Sequence, residues 1–250
     1  MKNNEDILLK VTKIVKYHKS GLLGGELMPE DDNPGYSVNS KENYLYFTLP
    51  MALNYQRSAY ALWKSAYITA IDNDTSDVFM PEKVLLMSDY ELQEKLVKHK
   101  VALQKNKQTL IWRTLCETLV ELFDGDVKEL FRINNNSILE TKKYMLSKKK
   151  KFPYLSGNKI MNYWLYIMTL YTDIKFSDRE NITVAPDTNV IQASLKLGVI
   201  DEEEYKKAKV QQLVSVRWEE ILLESCYDPI DIHTPLWLWK RSGFKYFDKL

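Results

Sequence analysis

Residues 148–164 read KKKKFPYLSGNKIMNYW and mark a break in the helical pattern of the chain. Four lysines lead into a Phe-Pro step, a Ser-Gly-Asn turn follows, and an apolar stretch begins after Lys159. Pro153 and Gly157 bracket a tight turn, which predicts that one helix ends before it and that another begins at Lys159. This stretch therefore predicts two helices joined by a hairpin-like turn, with a lysine on the first turn of the second helix.

Hydrophobic residues recur with helical spacing along most of the chain, beginning with residues 5–18, EDILLKVTKIVKYH. We predict roughly ten helices, since about 11–12 residues per helix is typical. Residues 44–48, YLYFT, are the one stretch with strand character. Residues 21–35 are rich in Gly, Pro and acids and predict a loop, whereas residues 51–71 predict one long aromatic helix. The pattern indicates an all-α fold with at most a minor strand pair.

Composition excludes several classes of protein. The chain has 250 residues, of which 45% are hydrophobic and 28% charged, as is ordinary for globular proteins. No window is long and apolar enough for a transmembrane span, and the polar start of the sequence does not fit a secretory signal. Two cysteines and three scattered histidines argue against a metal centre. We expect a cytoplasmic protein without metal or cofactor.

Charge is distributed unevenly, although the net charge is only +1. Residues 142–159 contain seven lysines and no acid, whereas residues 201–205 read DEEEY. The total charge is not evidence for nucleic-acid binding, because nucleic-acid binders are often strongly basic overall. The basic stretch, however, flanks the turn before Lys159 and places positive charge around it.

Lys159 is the first candidate for chemistry. Free N–H groups at a helix start, together with the close approach that Gly157 permits, suit an anion such as a DNA phosphate. Apolar neighbours and the positive end of a helix both favour the neutral amine, which is the nucleophile in Schiff-base chemistry. The alternative is an ordinary surface lysine at a helix start, and the turn alone does not exclude it.

Asp187 is the second candidate, in the stretch ITVAPDTNV of residues 182–190. A short apolar run delivers this aspartate to the start of a helix that Gly198 ends. Aspartate is also a preferred N-cap, so capping alone explains it equally well. A catalytic interpretation requires a partner for the carboxylate, such as an amine.

Tryptophans supply the third candidate feature. Residues 232–239 read IHTPLWLW, and Thr234-Pro235 predicts a helix start. Trp237 and Trp239 lie on different faces of this helix, so that one can fill the core while the other stacks on a nucleobase. Both can equally be core residues. Trp63 presents the same two alternatives.

Taken together, these features resemble the helix-hairpin-helix DNA glycosylases of the endonuclease III and 8-oxoguanine glycosylase superfamily. The family pattern reads leucine, proline, glycine, a hydrophobic residue, glycine, any residue and lysine. Residues 152–159, FPYLSGNK, resemble it with two departures: Tyr154 replaces the first glycine, and one residue, most simply Ser156, is inserted. Later in the family pattern, a valine-aspartate segment opens another helix and ends in arginine, leucine and glycine. Residues 184–191, VAPDTNVI, resemble the start of this segment, and residues 195–198, LKLG, resemble its end.

The spacing and the C-terminal stretch are most similar to the archaeal 8-oxoguanine glycosylase branch. Asp187 lies 28 positions after Lys159, farther than in endonuclease III. Trp237 matches the base-stacking tryptophan of that branch, and His233 stands where the branch has a base-contacting aspartate. The resemblance covers roughly residues 88–243, and the first 85 or so residues match in helical character only.

The resemblance implies a bifunctional DNA N-glycosylase and AP lyase that excises an oxidised purine such as 8-oxoguanine. It implies two helical lobes within one unit of residues 1–250, a cleft between them, and a helix-hairpin-helix and catalytic segment at about 137–198. The partner is double-stranded DNA with a damaged base, bound by a monomer that associates with the nucleoid in a prokaryote. The roles implied for single residues are catalysis by Lys159 and Asp187, base binding by Trp237, His233 and Trp63, and backbone binding by Gly157, Asn158, Ser156 and Lys151.

Three other functions stay open on the sequence. One is a monofunctional glycosylase or nucleosidase of the same fold that acts on another modified base, with Asp187 as its catalytic group. Another is a DNA-binding helix-hairpin-helix protein without catalytic activity. The last is a structural helical protein, since short motifs also occur by chance.

Overall fold

The computed structural model describes residues 4–24, 28–55 and 57–250. Two predicted elements extend partly outside the described residues. They are the loop, at residues 25–27, and the long aromatic helix, at residue 56. Every regular element in the described residues is helical, so the predicted all-α class is confirmed. None of these helices is both long and apolar enough to cross a membrane.

Thirteen α-helices occur in the described residues. In chain order they are α1 Asn4–Lys19, α2 Lys41–Thr48, α3 Ala59–Ile71, α4 Pro81–Val84, α5 Asp89–Lys98, α6 Lys105–Phe123, α7 Val127–Ile133, α8 Ile138–Ser147, α9 Asn158–Tyr171, α10 Thr188–Leu197, α11 Glu202–Tyr205, α12 Val210–Leu222 and α13 His233–Arg241. Short 3-10 helices span Pro50–Leu53, Ser76–Phe79, Arg179–Asn181, Pro229–Ile232 and Phe247–Lys249.

The chain divides into two compact units. The first contains both ends of the chain, Met1–Glu26 and Arg179–Leu250, and is called the terminal unit below. The second, Leu27–Asp178, is called the central unit. The predicted catalytic segment of residues 137–198 is divided between them, because the boundary falls after Asp178.

The central unit is built around α2, α6 and α9. Helix α2 packs on α7 and α9, and α6 packs on α4, α5 and α7. Large aromatic side chains fill the interior, as in the stacked rings of Phe131 and Trp164, whose centroids are 5.3 Å apart. The indole of Trp112 is fully buried and donates a hydrogen bond of 2.9 Å to the Val78 carbonyl. Each large aromatic side chain buries a large apolar area, and this burial stabilises the unit.

In the terminal unit, α13 packs on both α1 and α10, and α12 packs on α1 and α10. Trp218 and Trp239 are fully buried in it. The Trp218 indole donates a hydrogen bond of 2.8 Å to the Ser194 hydroxyl, which joins α12 to α10. Helix α1 is therefore held by a part of the chain that follows it by about two hundred positions.

The predicted strand at residues 44–48 is wrong, because this stretch forms the second half of α2. Ser40 caps this helix by accepting a hydrogen bond from the Asn43 amide. All of the last six residues of α2 are buried, so no polar face exists to give the sequence a helical period. A short run that is apolar on every side cannot be assigned to helix or strand by periodicity.

The single long helix predicted over residues 51–71 is also wrong. The structure has the 3-10 helix Pro50–Leu53, an irregular segment that includes Tyr55, and then α3 from Ala59. Ser58 is the N-cap of α3 and has an extended backbone, as N-cap residues have. The mostly polar run of residues 54–58, NYQRS, was the sequence signal for this second start.

Several helices begin or end at residues that are typical of helix caps. Ser88 and Ser137 accept hydrogen bonds from the Glu91 and Glu140 amides, respectively. Gly198 ends α10 with a φ of 78°, the left-handed conformation that glycine adopts without strain. The predicted N-cap Thr234 is wrong, because α13 already begins at His233, directly after the 3-10 helix Pro229–Ile232.

Candidate functional site

Lys159 lies in the central unit, on the first turn of α9. Gly157 is the N-cap of this helix, and no side chain caps its start by hydrogen bonding. Lys159 is half-buried, and its ammonium group has no hydrogen bond or ion pair with any residue that the structure describes. An amine that is partly shielded from water and has no partner is free to react or to bind an anion.

The turn before α9 differs from the family pattern at Tyr154, and the backbone of this residue has an unusual conformation. Tyr154, which stands in place of a glycine, has a φ of 60°. This left-handed conformation costs a residue with a side chain about 1–2 kcal/mol. The turn is closed by hydrogen bonds from the Ser156 amide to the Phe152 carbonyl, at 3.0 Å, and from the Gly157 amide to the Tyr154 carbonyl, at 2.9 Å.

The predicted backbone-binding residues differ in their exposure. Gly157 and Asn158 are exposed, whereas Ser156 is buried and its hydroxyl donates to the Phe152 carbonyl at 2.8 Å. The Ser156 side chain thus holds the turn together from inside. Gly157 has an ordinary φ of −69°, but a Cβ there would lie 3.1 Å from the Tyr154 carbonyl oxygen. A side chain at this position would therefore require the Tyr154 carbonyl to shift by a few tenths of an ångström.

The lysines around the turn also differ in their partners and in their exposure. The Lys151 ammonium pairs with the Glu121 carboxylate, so its charge is already partly neutralised within the protein. Lys142 donates a hydrogen bond of 2.6 Å to the Asn162 side chain and so links α8 to α9. Lys149 and Lys150 are exposed. The last two are therefore more available than Lys151 for an external phosphate.

Asp187 lies in the terminal unit as the N-cap of α10. One carboxylate oxygen accepts a hydrogen bond of 2.9 Å from the Val190 amide. The other accepts 3.0 Å from the Trp237 indole nitrogen and 3.2 Å from the Asn189 amide group. Asp187 is only half-buried, so a carboxylate of fixed orientation remains accessible.

Trp237 and His233 lie one helical turn apart on α13, and residues spaced by four share a helix face. Trp237 is 8% exposed and His233 is 4% exposed. The Arg241 guanidinium, one further turn along, lies 4.7 Å from the centre of the Trp237 ring. The structure thus brings together three of the predicted residues, Asp187, Trp237 and His233, and adds Arg241 to them.

Trp63 lies in the central unit and has no exposed surface. It packs against Tyr46 and Phe47, with ring centroids 5.6 Å and 5.7 Å away. In this conformation the Trp63 ring is a core residue. Its indole also lies next to a carboxyl group that the sequence analysis did not single out, that of Glu30.

Glu30 is 1% exposed, and its carboxyl accepts a hydrogen bond of 3.1 Å from the Tyr163 hydroxyl. Tyr163 follows Lys159 by one helical turn on α9. Burial raises the pKa of Glu30 to about 7, although hydrogen bonds from its own backbone and from Tyr163 act in the opposite direction. The sequence gives no separate signal for Glu30, which is one of three consecutive acids.

Among the described residues, no three His, Cys, Asp or Glu side chains are placed together so as to hold a metal ion. Cys116 is buried, which raises the pKa of its thiol, and Cys226 is exposed. The candidate groups described above are an amine, carboxylates and aromatic rings. No protein-family model matches the sequence, and no curated protein matches it either.

Proposed function

We propose that the protein is a bifunctional DNA glycosylase and AP lyase that removes an oxidised purine, such as 8-oxoguanine, from double-stranded DNA. The observation that carries this proposal is the half-buried Lys159 amine, which has no partner among the described residues and follows the Gly157 turn on an uncapped helix start. The resemblance of residues 152–159 and 184–191 to the family supplies the reaction. The enzyme acts as a monomer on DNA in the cytoplasm.

In the proposed reaction, the lone pair of the Lys159 Nζ attacks C1′ of the damaged nucleotide. The bond from C1′ to the base breaks, and the base leaves with the electron pair. Loss of a proton from nitrogen and opening of the sugar ring then give a Schiff base between Lys159 and C1′. Loss of a C2′ proton expels the 3′ phosphate and cleaves the strand by β-elimination.

Asp187 has a supporting role in this proposal. The resemblance to the family assigns Asp187 the role of stabilising the positive charge that develops on the sugar as the base leaves. The hydrogen bonds from Val190 and Trp237 hold the Asp187 carboxylate in one orientation, so little reorganisation is required during the reaction. The resemblance assigns base binding to Trp237, since bases taken out of the stack are bound between aromatic side chains. This residue is 8% exposed in this conformation, so stacking requires the Arg241 guanidinium to move off its ring.

The test is trapping with sodium borohydride, which reduces the Schiff base to a stable covalent adduct. A duplex with one 8-oxoguanine should give a protein–DNA adduct with the wild-type chain and none with Lys159→Ala. Lys143→Ala, which removes an exposed lysine of α8, serves as the matched control and should trap as well as the wild type. Absence of an adduct with 8-oxoguanine, other lesions and abasic duplexes would sink the proposal.

Two other outcomes of these experiments would support the alternative functions. Base release that survives in Lys159→Ala but is lost in Asp187→Asn indicates a monofunctional glycosylase. Binding to the duplex without any base release indicates a non-catalytic DNA-binding protein. Asn is also a good N-cap, so Asp187→Asn tests the carboxylate charge while α10 keeps its cap.

A further inference from the structure

Three side chains from distant parts of the central unit meet at its surface and are called the Tyr55 platform here: Tyr55, Lys107 and Tyr154. The ring centroids of the two tyrosines are 5.5 Å apart. The Lys107 ammonium lies 5.0 Å from the centre of the Tyr154 ring and 5.7 Å from that of Tyr55. Both distances are within the range of cation–π attraction.

The platform is assembled from irregular segments and one helix start. Tyr55 follows the 3-10 helix Pro50–Leu53, Lys107 lies on the first turn of α6, and Tyr154 belongs to the turn that precedes α9. Tyr154 has the strained φ of 60° described above. Strain of this kind persists only where the surroundings hold it in place, and it is concentrated at functional sites.

The Tyr55 platform is open to solvent. Tyr55 is 46% exposed although its ring already has an aromatic and a cationic neighbour, and Lys107 is exposed as well. The face that Tyr55 presents is planar and apolar. Such a face next to an ammonium group matches a nucleotide, whose base stacks on an aromatic ring while its phosphate binds the cation.

The charge around the platform points to the same ligand. Residues 95–116 contain no Asp or Glu, and Lys100 and Lys105 are exposed near Lys107 in sequence. The ammonium groups of Lys100 and Lys105 have no hydrogen bond or ion pair among the described residues. A hydrogen bond with Tyr154 raises the pKa of Lys107, so this side chain stays charged. Lys107 is thus a charged cation at the platform, and the stretch of chain that contains it brings no carboxylate to compete with a phosphate.

We propose that the Tyr55 platform is a binding site for single-stranded nucleic acid, in which an unpaired base stacks on Tyr55 and a neighbouring phosphate binds Lys107. The site requires neither Lys159 nor Asp187. It goes beyond the proposed excision chemistry, because it gives the central unit a contact with unpaired bases that is independent of any damage.

The test is fluorescence anisotropy with a fluorescein-labelled oligothymidylate of 12 nucleotides, a length about that of one single-strand binding site. Tyr55→Leu should weaken binding about tenfold, the amount that corresponds to loss of one stacked base, whereas Tyr55→Phe should bind as the wild type does. Lys107→Gln should lower the salt dependence by about 0.7 in the slope of log K against log salt, as expected for one phosphate contact.

Tyr90→Leu is the matched control, because Tyr90 is 73% exposed in the same unit and stacks on no other described ring. It should not change the affinity. The proposal is overturned if Tyr55→Leu binds as tightly as the wild type, or if Tyr90→Leu weakens binding equally. Borohydride trapping of the same variants separates the two proposals, because loss of oligothymidylate binding in Tyr55→Leu supports the platform whether or not Lys159 traps.

Discussion

At the scale of single residues, the most unusual group is the carboxyl of Glu30. A carboxylate buried in an apolar interior is unstable as an anion unless several donors solvate it. The Tyr163 hydroxyl supplies one donor, and burial still raises the pKa of Glu30 to about 7. Glu30 therefore exchanges a proton near neutral pH within the unit that also contains Lys159.

This shift of the Glu30 pKa from 4.5 to about 7 makes stability depend on pH. The folded state binds this proton more tightly than the unfolded state does, so protonated Glu30 adds to the free energy of unfolding. This contribution is complete below about pH 4.5 and is lost as pH rises through about 7. Glu30→Gln has no such titration. Relative to this variant, the wild type should lose about 2 to 3 kcal/mol of unfolding free energy between pH 5 and pH 8.

Urea denaturation at the two pH values measures this difference. Glu94→Gln provides the control, because Glu94 is exposed and its substitution should leave the pH dependence of the wild type unchanged. An equal pH dependence in the wild type and in Glu30→Gln would show that Glu30 titrates in the folded protein as it does in water.

At the scale of elements, the start of α10 combines two functions in one side chain. Asp187 caps the helix through the Val190 amide and fixes α13 through the Trp237 indole. Helices α10 and α13 also pack directly against each other. The N-cap role of Asp187 is thus compatible with the catalytic role proposed above, because the hydrogen bonds that cap α10 and reach α13 also hold the carboxylate in one orientation.

Asp187→Ala removes the cap and the acceptor of the Trp237 indole at once. We expect a loss of about 1–2 kcal/mol of unfolding free energy, the upper part of the range for N-cap removal. Asp187→Asn should lose less, because asparagine caps helices nearly as well as aspartate. Chemical denaturation followed by tryptophan fluorescence measures both, and equal losses in the two variants would argue against the cap as the main source of stability.

At the scale of the whole molecule, charge is segregated along the chain while the total stays near neutral. The net charge is +1, yet seven lysines and no acid occupy residues 142–159. Several of these lysines, such as Lys142 and Lys151, are engaged within the protein. The exposed run at residues 148–150 is the part of this stretch that is most available to a DNA backbone.

Replacing Lys148, Lys149 and Lys150 together by glutamine should weaken duplex binding and reduce its salt dependence. The slope of log K against log salt should fall by about 0.9 for each phosphate contact that is lost. The matched triple variant replaces the exposed Lys206, Lys207 and Lys209 in the terminal unit and should leave the slope unchanged. Anisotropy titrations at several salt concentrations measure both, and equal slopes in all three proteins would exclude residues 148–150 from the DNA contact.

The sequence by itself determined the helical class, most helix ends and the place of the two motifs. Periodicity and capping residues are local, so the helix that starts at Asp187 and ends at Gly198 could be assigned without knowing what it packs against. The same local rules failed for residues 44–48, where burial on all sides removes the polar face that reveals a helix. They failed also at residues 51–71, where the mostly polar residues 54–58, NYQRS, separate two helical segments that the prediction joined into one.

Only the tertiary structure decided which side chains meet. Glu30, Asp31 and Asp32 are adjacent and equally acidic in sequence, yet Glu30 is buried and the other two are exposed. Tyr55, Lys107 and Tyr154 are joined by packing between segments, and the hydrogen bond from Trp237 to Asp187 spans 50 positions. Desolvation, cation–π contact and hydrogen bonding depend on distances between atoms, which local sequence patterns do not contain.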